Sequence, residues 1–582
     1  MDVRLKAEIE KKYNDLFEKY GLERPLDGKK IAAYVKEILE EFLKDKKKPA
    51  IYANGGHTKM LMADFMFELK NVKVIIDNYN QENESGFKQI TDNEISEYEI
   101  DGIIISSYKF RKEIAAKLKE ICPSIPVLDI YEEINKRGIK LNADYYYGTH
   151  PQQIYRTINK LKTKPDDKEK YRELISLFLQ IKDIRLAIEC CKKADCLYAE
   201  KLYQCLLEDI EELYSLMLEA YKKIDKKNVL LLCLDGMKRS DMNHQVMPRI
   251  MKIIDRKGLF YTNAYSYSTS TFESLMPVYS ENFNMQTGYY KSNKVLGDEC
   301  RFIKQAKEQK RKICLYTDMD KHIEDSLIKY SGAFQTLTQK LWDFMLDALE
   351  TDNGLFLIHE LYETHYSFSN PYTEGDVLFE GTAMLFDFLP QKGGKLRADY
   401  EKQHDDSMRY TDETLEIFLD NVDLNILMYA DHGNLLLSKD TKLEDVPEIE
   451  LTCSEGWTQV PFIVFGNHVK AGRNNQIVSL AEMNNVALSM EEGRDIDIKK
   501  REYIKCARSE IYNPDFKFLY KKLGYEEDLL AFEAFVFENG DKIIIFSNGR
   551  KRVYEQDTEI LDSNKIEELF SIVKDDITVV TR

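Results

Sequence analysis

The run Asn425–Ala430 is apolar and rich in strand-forming residues, and it stops at Asp431-His432-Gly433. The same design recurs through the second half of the chain. Val229–Leu234 ends at Asp235-Gly236, Ile313–Tyr316 near Thr317-Asp318, Leu355–Ile358 at His359-Glu360 and Val460–Phe465 at Gly466. Short apolar runs bounded in this way are buried strands. Four of the five end in residues able to hold a metal or move a proton, and a packed strand gains nothing from a terminal Asp or His. Open α/β sheets gather their ligands at the carboxyl ends of the strands, so these endings point to one site on an α/β fold.

Composition narrows the classes. A chain of 582 residues allows two to four domains, and 43% hydrophobic with 32% charged residues is the balance of a soluble globular protein. No apolar run reaches transmembrane length, and the opening MDVRLKAEIEKKYNDLF is a charged helix, not a signal peptide. Ten cysteines are scattered, with Cys190 and Cys191 adjacent, which suits reduced thiols in the cytoplasm. A net charge of −18 argues against a nucleic-acid partner and disfavours an anionic membrane surface.

Residues 1–150 are expected to form one α/β domain with N-terminal helices. After amphipathic helices up to about residue 48, strands are expected at Ala50–Ala53, Val72–Ile76, Gly102–Ile105 and Val127–Ile130, with helices over Thr58–Leu69 and Lys109–Glu120. Gly55 and Gly56 make a glycine turn after the first strand, and Asp77 follows at about the spacing of a ribose-binding acid. This turn, GGHTK, departs from G-x-G-x-x-G. With the DGIIISS strand, the segment resembles the Rossmann-like domains attached to sugar-modifying enzymes. That resemblance makes Gly55, Gly56 and Asp77 candidates for binding a nucleotide or nucleotide-sugar, against a structural or docking role. Residues 151–226 carry helical periodicity alone and read as a connector, 227–485 as the catalytic domain, and 486–582 as a small α+β part packed on it. Within that last part, Phe532–Phe537 and Lys542–Phe546 read as a hairpin around Asn539-Gly540.

Three ordered motifs then carry a second resemblance. They are LDGMKRSDM with the stretch that runs on to Pro277, DDSMRYTDETL within residues 400–415, and ADHG at 430–433. The span from Asn228 to about Gly466 resembles the alkaline phosphatase/sulfatase superfamily, and within it the sulfatase-like phosphoethanolamine and phosphoglycerol transferases. The implied fold is a mixed, mostly parallel sheet flanked by helices. The implied metal ligands are Asp235, Asp431 and His432, with Thr271 as nucleophile and further ligand. Two hard oxygens with an imidazole suit Zn²⁺ or Mn²⁺ better than Ca²⁺. Thr271 and Ser274 keep the family's T-x-x-S spacing, and Thr269 is the alternative nucleophile. The C/S-x-P-x-R motif of true sulfatases is absent, which makes sulfate-ester hydrolysis unlike this chain's chemistry.

His359 and His365, in IHELYETHYSFSNPY, resemble transferase histidines that contact substrate or a second metal, and either could protonate a leaving alkoxide. Lys238 and Arg239 could hold a phosphate oxygen. The resemblance implies a small-molecule or glycan phosphoester substrate and either transfer or hydrolysis. Two other readings stand beside it: a non-catalytic sensor of a phosphorylated glycan, and a nucleotide-sugar enzyme centred on residues 1–150.

Overall fold

A computed structural model describes every residue except 25–27, 56, 59–60, 63–64, 66, 79–86, 140, 142–150, 286–292, 319–321, 332–333, 366–367, 375–394, 435–454, 468, 511–525, 556–557 and 580–582. The chain divides into two compact units, Arg24–His150 and the combination of Met1–Glu23 with Pro151–Arg582. Among the described residues no helix is long and apolar enough to cross a membrane.

The smaller unit is built on strands β1 (Pro49–Tyr52), β2 (Val74–Ile76), β3 (Lys88–Ile90), β4 (Gly102–Ile105) and β5 (Val127–Asp129). All pair in parallel, in the order β3-β2-β1-β4-β5. Alternation along β1 and β4 sends Ile51 and Ile104 to one face, against Ile31, Val35 and Leu39 of the helix Gly28–Leu43. Ala50 and Ile103 turn to the other, against Ile114 and Leu118 of the helix Arg111–Ile121. Strand β3 has no counterpart in the expected pattern, because Lys88 and Gln89 break the apolar run. Of the expected helix Thr58–Leu69, residues 59–60, 63–64 and 66 lie outside the described residues.

The larger unit contains β6 (Val229–Leu234), β7 (Gly258–Tyr265), β8 (Val295–Leu296), β9 (Lys312–Tyr316), β10 (Ile323–Glu324), β11 (Ile328–Ser331), β12 (Gly354–Glu360), β13 (Asn425–Tyr429), β14 (Phe462–Phe465) and β15 (Gly472–Ser479). Strands β8 and β10 form a two-stranded ribbon, and the other eight form one sheet in the order β11-β9-β12-β6-β13-β14-β7-β15. Only β14 runs antiparallel to its neighbours. The sheet is therefore mixed and mostly parallel, as the motifs imply. Along β6, Leu230, Leu232 and Leu234 pack into one core layer while Val229, Leu231 and Cys233 pack into the other. A strand covered on both faces has to be apolar throughout, which is why β6, β12 and β13 read as unbroken apolar runs.

Two parts of the chain are more closely integrated than expected. The first helix, Val3–Tyr20, was expected with the N-terminal domain but belongs to the larger unit. Its Ile9, Leu16 and Phe17 join the core that contains Leu230 and Phe344, Tyr13 donates to Leu179 O at 3.0 Å, and the Tyr13 and Trp342 rings lie 5.3 Å apart. An amphipathic stripe shows that a helix has one apolar face and does not show against what. The helices Pro151–Lys162, Lys168–Gln180, Ile184–Tyr198 and Lys201–Lys223, expected as a connector, share the same core through Ile154, Leu174 and Leu213.

The C-terminal part is an antiparallel meander of β16 (Tyr503–Arg508), β17 (Phe532–Phe537), β18 (Lys542–Phe546), β19 (Lys551–Glu555) and β20 (Thr558–Ile560). Its β17–β18 hairpin turns through Gly540, at φ 89°, where the Asn-Gly pair was expected to turn. The meander meets the segment that follows β7, where Ala507 N donates to Tyr267 O at 2.7 Å.

Truncating a fully buried isoleucine costs about 2–5 kcal/mol. Ile9→Ala is expected to raise hydrogen exchange in the helices between residues 151 and 223 and to leave strands β1, β4 and β5 unchanged. Mass-spectrometric exchange on the full chain checks this, and loosening confined to residues 49–129 would show that the first helix belongs elsewhere.

Candidate functional site

Three adjacent parallel strands converge on one point. Asp235 follows β6, the central strand of the three; His359 is the penultimate residue of β12, and Asp431 and His432 follow β13. Asp235 N donates to Glu360 O at 2.9 Å, so the strand ends stay in register past the sheet. His359 Nε2 lies 2.8 Å from Asp235 Oδ2, and Gly236 N donates to Asp431 Oδ1 at 3.2 Å. His432 Nε2 lies 3.5 Å from Asp235 Oδ1 and 3.6 Å from Asp431 Oδ2, and His365 Nε2 lies 3.8 Å from Asp235 Oδ1.

Two glycines make this convergence possible. Gly236 has φ +70°, a conformation that side chains avoid, and a Cβ on it would lie 2.9 Å from His365 Cδ2. A Cβ on Gly433 would lie 2.0 Å from Gly456 O. The Asp-Gly and His-Gly pairs of the sequence are thus steric requirements, since each glycine lets a second chain segment close over the Asp or His that precedes it.

Thr271 is the first residue of the helix Thr271–Ser280. Its Oγ1 lies 3.4 Å from Asp235 Oδ2 and 3.3 Å from His432 Nε2. These contacts are made by Thr271 and not by Thr269, the alternative. One turn on, Ser274 Oγ donates to Asp431 O at 2.7 Å and accepts from Tyr267 N at 3.3 Å, which gives the T-x-x-S spacing a physical purpose. Glu273 accepts from Ser268 Oγ at 3.2 Å and from Ser509 N at 3.2 Å, so the C-terminal meander braces the loop before Thr271.

The electrostatics favour a cation. Asp235 Oδ1 and Asp431 Oδ2 are buried and have no hydrogen-bond partner. Burial pushes Asp235 upward, but His365, His359 and His432 outweigh it and hold its carboxyl well below the usual range. Burial lowers His359, and the bond and charge of Asp235 with the charge of Asp431 raise it on balance above its ordinary value. His432 is likewise lowered by burial and raised on balance by Asp431 and Asp235. Two buried carboxylate oxygens without partners, with three imidazoles beside them, fit a divalent transition metal. The donor atoms of Asp235, His365 and His432 lie within 4.8 Å of one another, and so do those of Asp235, His359 and Asp431.

Other expected residues fall elsewhere. Lys238 is buried with Nζ 3.6 Å from Asp241 Oδ1, and Arg239 Nε donates to Thr262 O at 3.1 Å, so both are turned toward the protein's own acceptors. Asp241 also meets His404 Nε2 at 3.1 Å, a buried histidine on the helix Lys395–Asn421 that sequence reasoning passed over. Its only sequence signal was a position two residues before the DSMRYTD motif. In the smaller unit Asp77 Oδ2 accepts from Asn54 N at 2.7 Å, Thr58 N donates to Gly55 O at 3.0 Å, and Gly56 lies outside the described residues. His57, not singled out beforehand, lies 2.7 Å from both Ser106 Oγ and Tyr131 OH.

Residues 227–489 match the Sulfatase family model, and residues 45–126 match the model described as C2185-like, N-terminal. No curated protein matches the chain. Among solved structures, the phosphonate monoester hydrolase of Agrobacterium radiobacter is similar at 10% identity, over 60% of this chain and 95% of its own, with a TM-score of 0.41. The C-terminal periplasmic domain of EcEptC from Escherichia coli is similar at 14% identity, over 50% of this chain and 91% of its own, with a TM-score of 0.35. The soluble domain of lipooligosaccharide phosphoethanolamine transferase A from Neisseria meningitidis is similar at 12% identity, over 46% and 87%, with a TM-score of 0.33. Within the larger unit, residues 227–489 are thus matched as a sulfatase-family domain.

Proposed function

We propose that this domain is a metal-dependent phosphotransferase or phosphodiesterase that moves or hydrolyses a phosphoryl-alcohol group, of the phosphoethanolamine or phosphoglycerol type, through a phospho-threonine on Thr271. The observation that carries this reading is the threonine hydroxyl 3.4 Å from Asp235 Oδ2 and 3.3 Å from His432 Nε2, beside two partnerless carboxylate oxygens. Asp235, Asp431, His432 and Thr271 would hold Zn²⁺ or Mn²⁺, and His359 completes the second donor group around Asp235. Such a cation supplies Lewis-acid charge for the phosphoryl oxygens and lowers the pKa of the threonine hydroxyl.

The residues themselves divide the work. Thr271 Oγ, having lost its proton to solvent, attacks phosphorus in line with the leaving alcohol, and the bond to that alcohol breaks. Because Thr271 opens a helix, the developing charge meets the helix's positive end. His365, with 18% of its side chain exposed, can reach the leaving oxygen and protonate it, whereas His359, 6% exposed, is engaged with Asp235. Water or a glycan hydroxyl then attacks the phospho-threonine, and Thr271 Oγ leaves. In the smaller unit, Gly55 and Asp77 at the carboxyl ends of β1 and β2 are the proposed contacts for a nucleotide or nucleotide-sugar, supported by Asp77 lying against the turn that follows β1. A cytoplasmic location is supported by the nine described cysteines, all of them free thiols.

Thr271→Ala is expected to lower kcat/KM for a generic phosphodiester such as bis(p-nitrophenyl) phosphate by about 1000-fold or more. Intact-mass analysis should show a phosphate-bearing adduct on wild type that the variant lacks, and retention of more than a tenth of the activity would remove Thr271 as nucleophile. Elemental analysis decides against the sensor reading, since near-stoichiometric zinc or manganese with diester turnover excludes it.

Acid should release the metal. His359 and His432 carry raised pKa values without the ion, so protons compete for them from above the ordinary value of about 6.5 downward. Metal affinity is expected to fall as pH drops through that raised range, with a slope approaching two protons per ion. Chelator competition across pH checks this, and a flat profile between pH 8 and 6 would exclude these histidines as ligands.

A further inference from the structure

Behind the converging strand ends lies a buried cation that the chemistry above leaves without a task. Lys340, on the helix Leu337–Leu349, is 0% exposed, with Nζ 2.7 Å from Asp318 Oδ2 and 3.4 Å from Glu360 Oε2. The two carboxylates stand just past β9 and at the end of β12, neighbouring parallel strands in which Ile358 registers with Tyr316. Removing an ammonium from water costs several kcal/mol, and apolar residues of the same volume usually stabilise a core as well or better. Lys340 is therefore poorly explained as a contribution to stability alone.

Glu360 shows what the lysine holds. Its Oε1 accepts from Tyr362 N at 2.7 Å and from Glu363 N at 3.2 Å, which folds the turn leading to His365. Its carbonyl accepts from Asp235 N at 2.9 Å, and the residue before it is His359. One residue thus touches, through backbone or turn, the segments that carry Asp235, His359 and His365. The same turn is anchored from behind, because Glu363 Oε1 accepts from Leu337 N at 3.1 Å and from the hydroxyl of Tyr155, and Ser407 Oγ donates to Glu363 O at 2.6 Å. With Lys340 absent, Glu360 would be a buried carboxylate without a counter-charge, which would either take up a proton, and so accept more weakly from the Tyr362 and Glu363 amides, or leave the turn.

We propose that Lys340 is a positioning residue: by fixing the Glu360 carboxylate it sets the spacing of Asp235, His359 and His365, and so the affinity of the site for its metal. This rests on the reading of those residues as a metal site. Partners of metal ligands in other proteins change affinity by about 10- to 100-fold when removed, and that range is expected here.

The test is Zn²⁺ affinity of the full-length chain by chelator competition, with thermal unfolding of the metal-free protein measured alongside. Lys340→Met is expected to weaken Zn²⁺ binding by about 10- to 100-fold while the metal-free Tm is held or raised. The double variant Lys340→Met/Glu360→Gln should recover most of the loss, because an amide oxygen still accepts from Tyr362 and Glu363 without needing a cation. Lys340→Met/Asp318→Asn should not recover it, since Glu360 stays unpaired. Should Lys340→Met not fold, Lys340→Gln replaces it with the same expectations. Binding within twofold of wild type in the single variant, or equal recovery by both double variants, overturns the proposal while leaving the metal site standing. Wild-type protein with no Zn²⁺ affinity overturns both.

Discussion

Two carboxylate oxygens, Asp235 Oδ1 and Asp431 Oδ2, are buried without a hydrogen-bond partner at the carboxyl ends of central strands of the main sheet. Donor atoms of the two residues lie within 4.8 Å of each other. Like charges at that separation repel by roughly 3 kcal/mol even at an effective dielectric constant near 20. Such an arrangement persists only where positive charge is supplied. The protein offers a part of it through Gly236 N and through histidines whose proton affinity Asp235 and Asp431 raise. A divalent ion would supply the rest and release those protons, so the proton-holding and metal-holding states of the site are alternatives.

The sheet supplies the precision that this arrangement needs. Neighbouring strands lie about 4.8 Å apart, so residues just past β12, β6 and β13 arrive at about the spacing that one ion can bridge. Nothing about a single strand achieves this; it follows from β6 lying between the other two, all three parallel. The glycines then remove the obstacles. With a side chain at 236 the ring of His365 is displaced, and with one at 433 the backbone at Gly456 is displaced. Both substitutions would act on ligand geometry before they acted on the core.

Much of this was legible because strand ends announce themselves. An apolar run that stops at Asp or His has a simple physical reading, and Asp235, His359, Asp431 and His432 are all placed together as that reading required. What the sequence concealed were contacts between distant segments with no periodicity to reveal them. Lys340 sits in a helix that reads LTQKLWDFML, where a lysine passes for a solvated face, yet it is wholly buried. His404 and Asp241 lie 163 positions apart and meet at 3.1 Å. Lys238 and Arg239 follow a strand that leads to the site, and their side chains meet Asp241 and Thr262 O. The first helix showed its apolar stripe plainly and gave no hint of its partner. Periodicity reports that a face is buried; only long-range packing decides against what.

The same distinction explains why the helices between residues 151 and 223 are more than a tether. Tyr155 donates to Glu363, two residues before His365, and Tyr410 donates to Asp183 Oδ2 at 2.9 Å, so polar contacts as well as the shared core fasten them to the segments around the candidate site. On the opposite side, Ser274 fixes the carbonyl of Asp431 one turn after Thr271. Thr271 and the carbonyl of Asp431 are consequently tied to the same helical turn, and a displacement of either carries the other with it. The site is held from both faces of the sheet, by Glu360 and Glu363 on one and by Ser274 on the other. Changes of helix packing on either face therefore register as changes in the distance between Thr271 and Asp235, the distance on which the proposed chemistry depends.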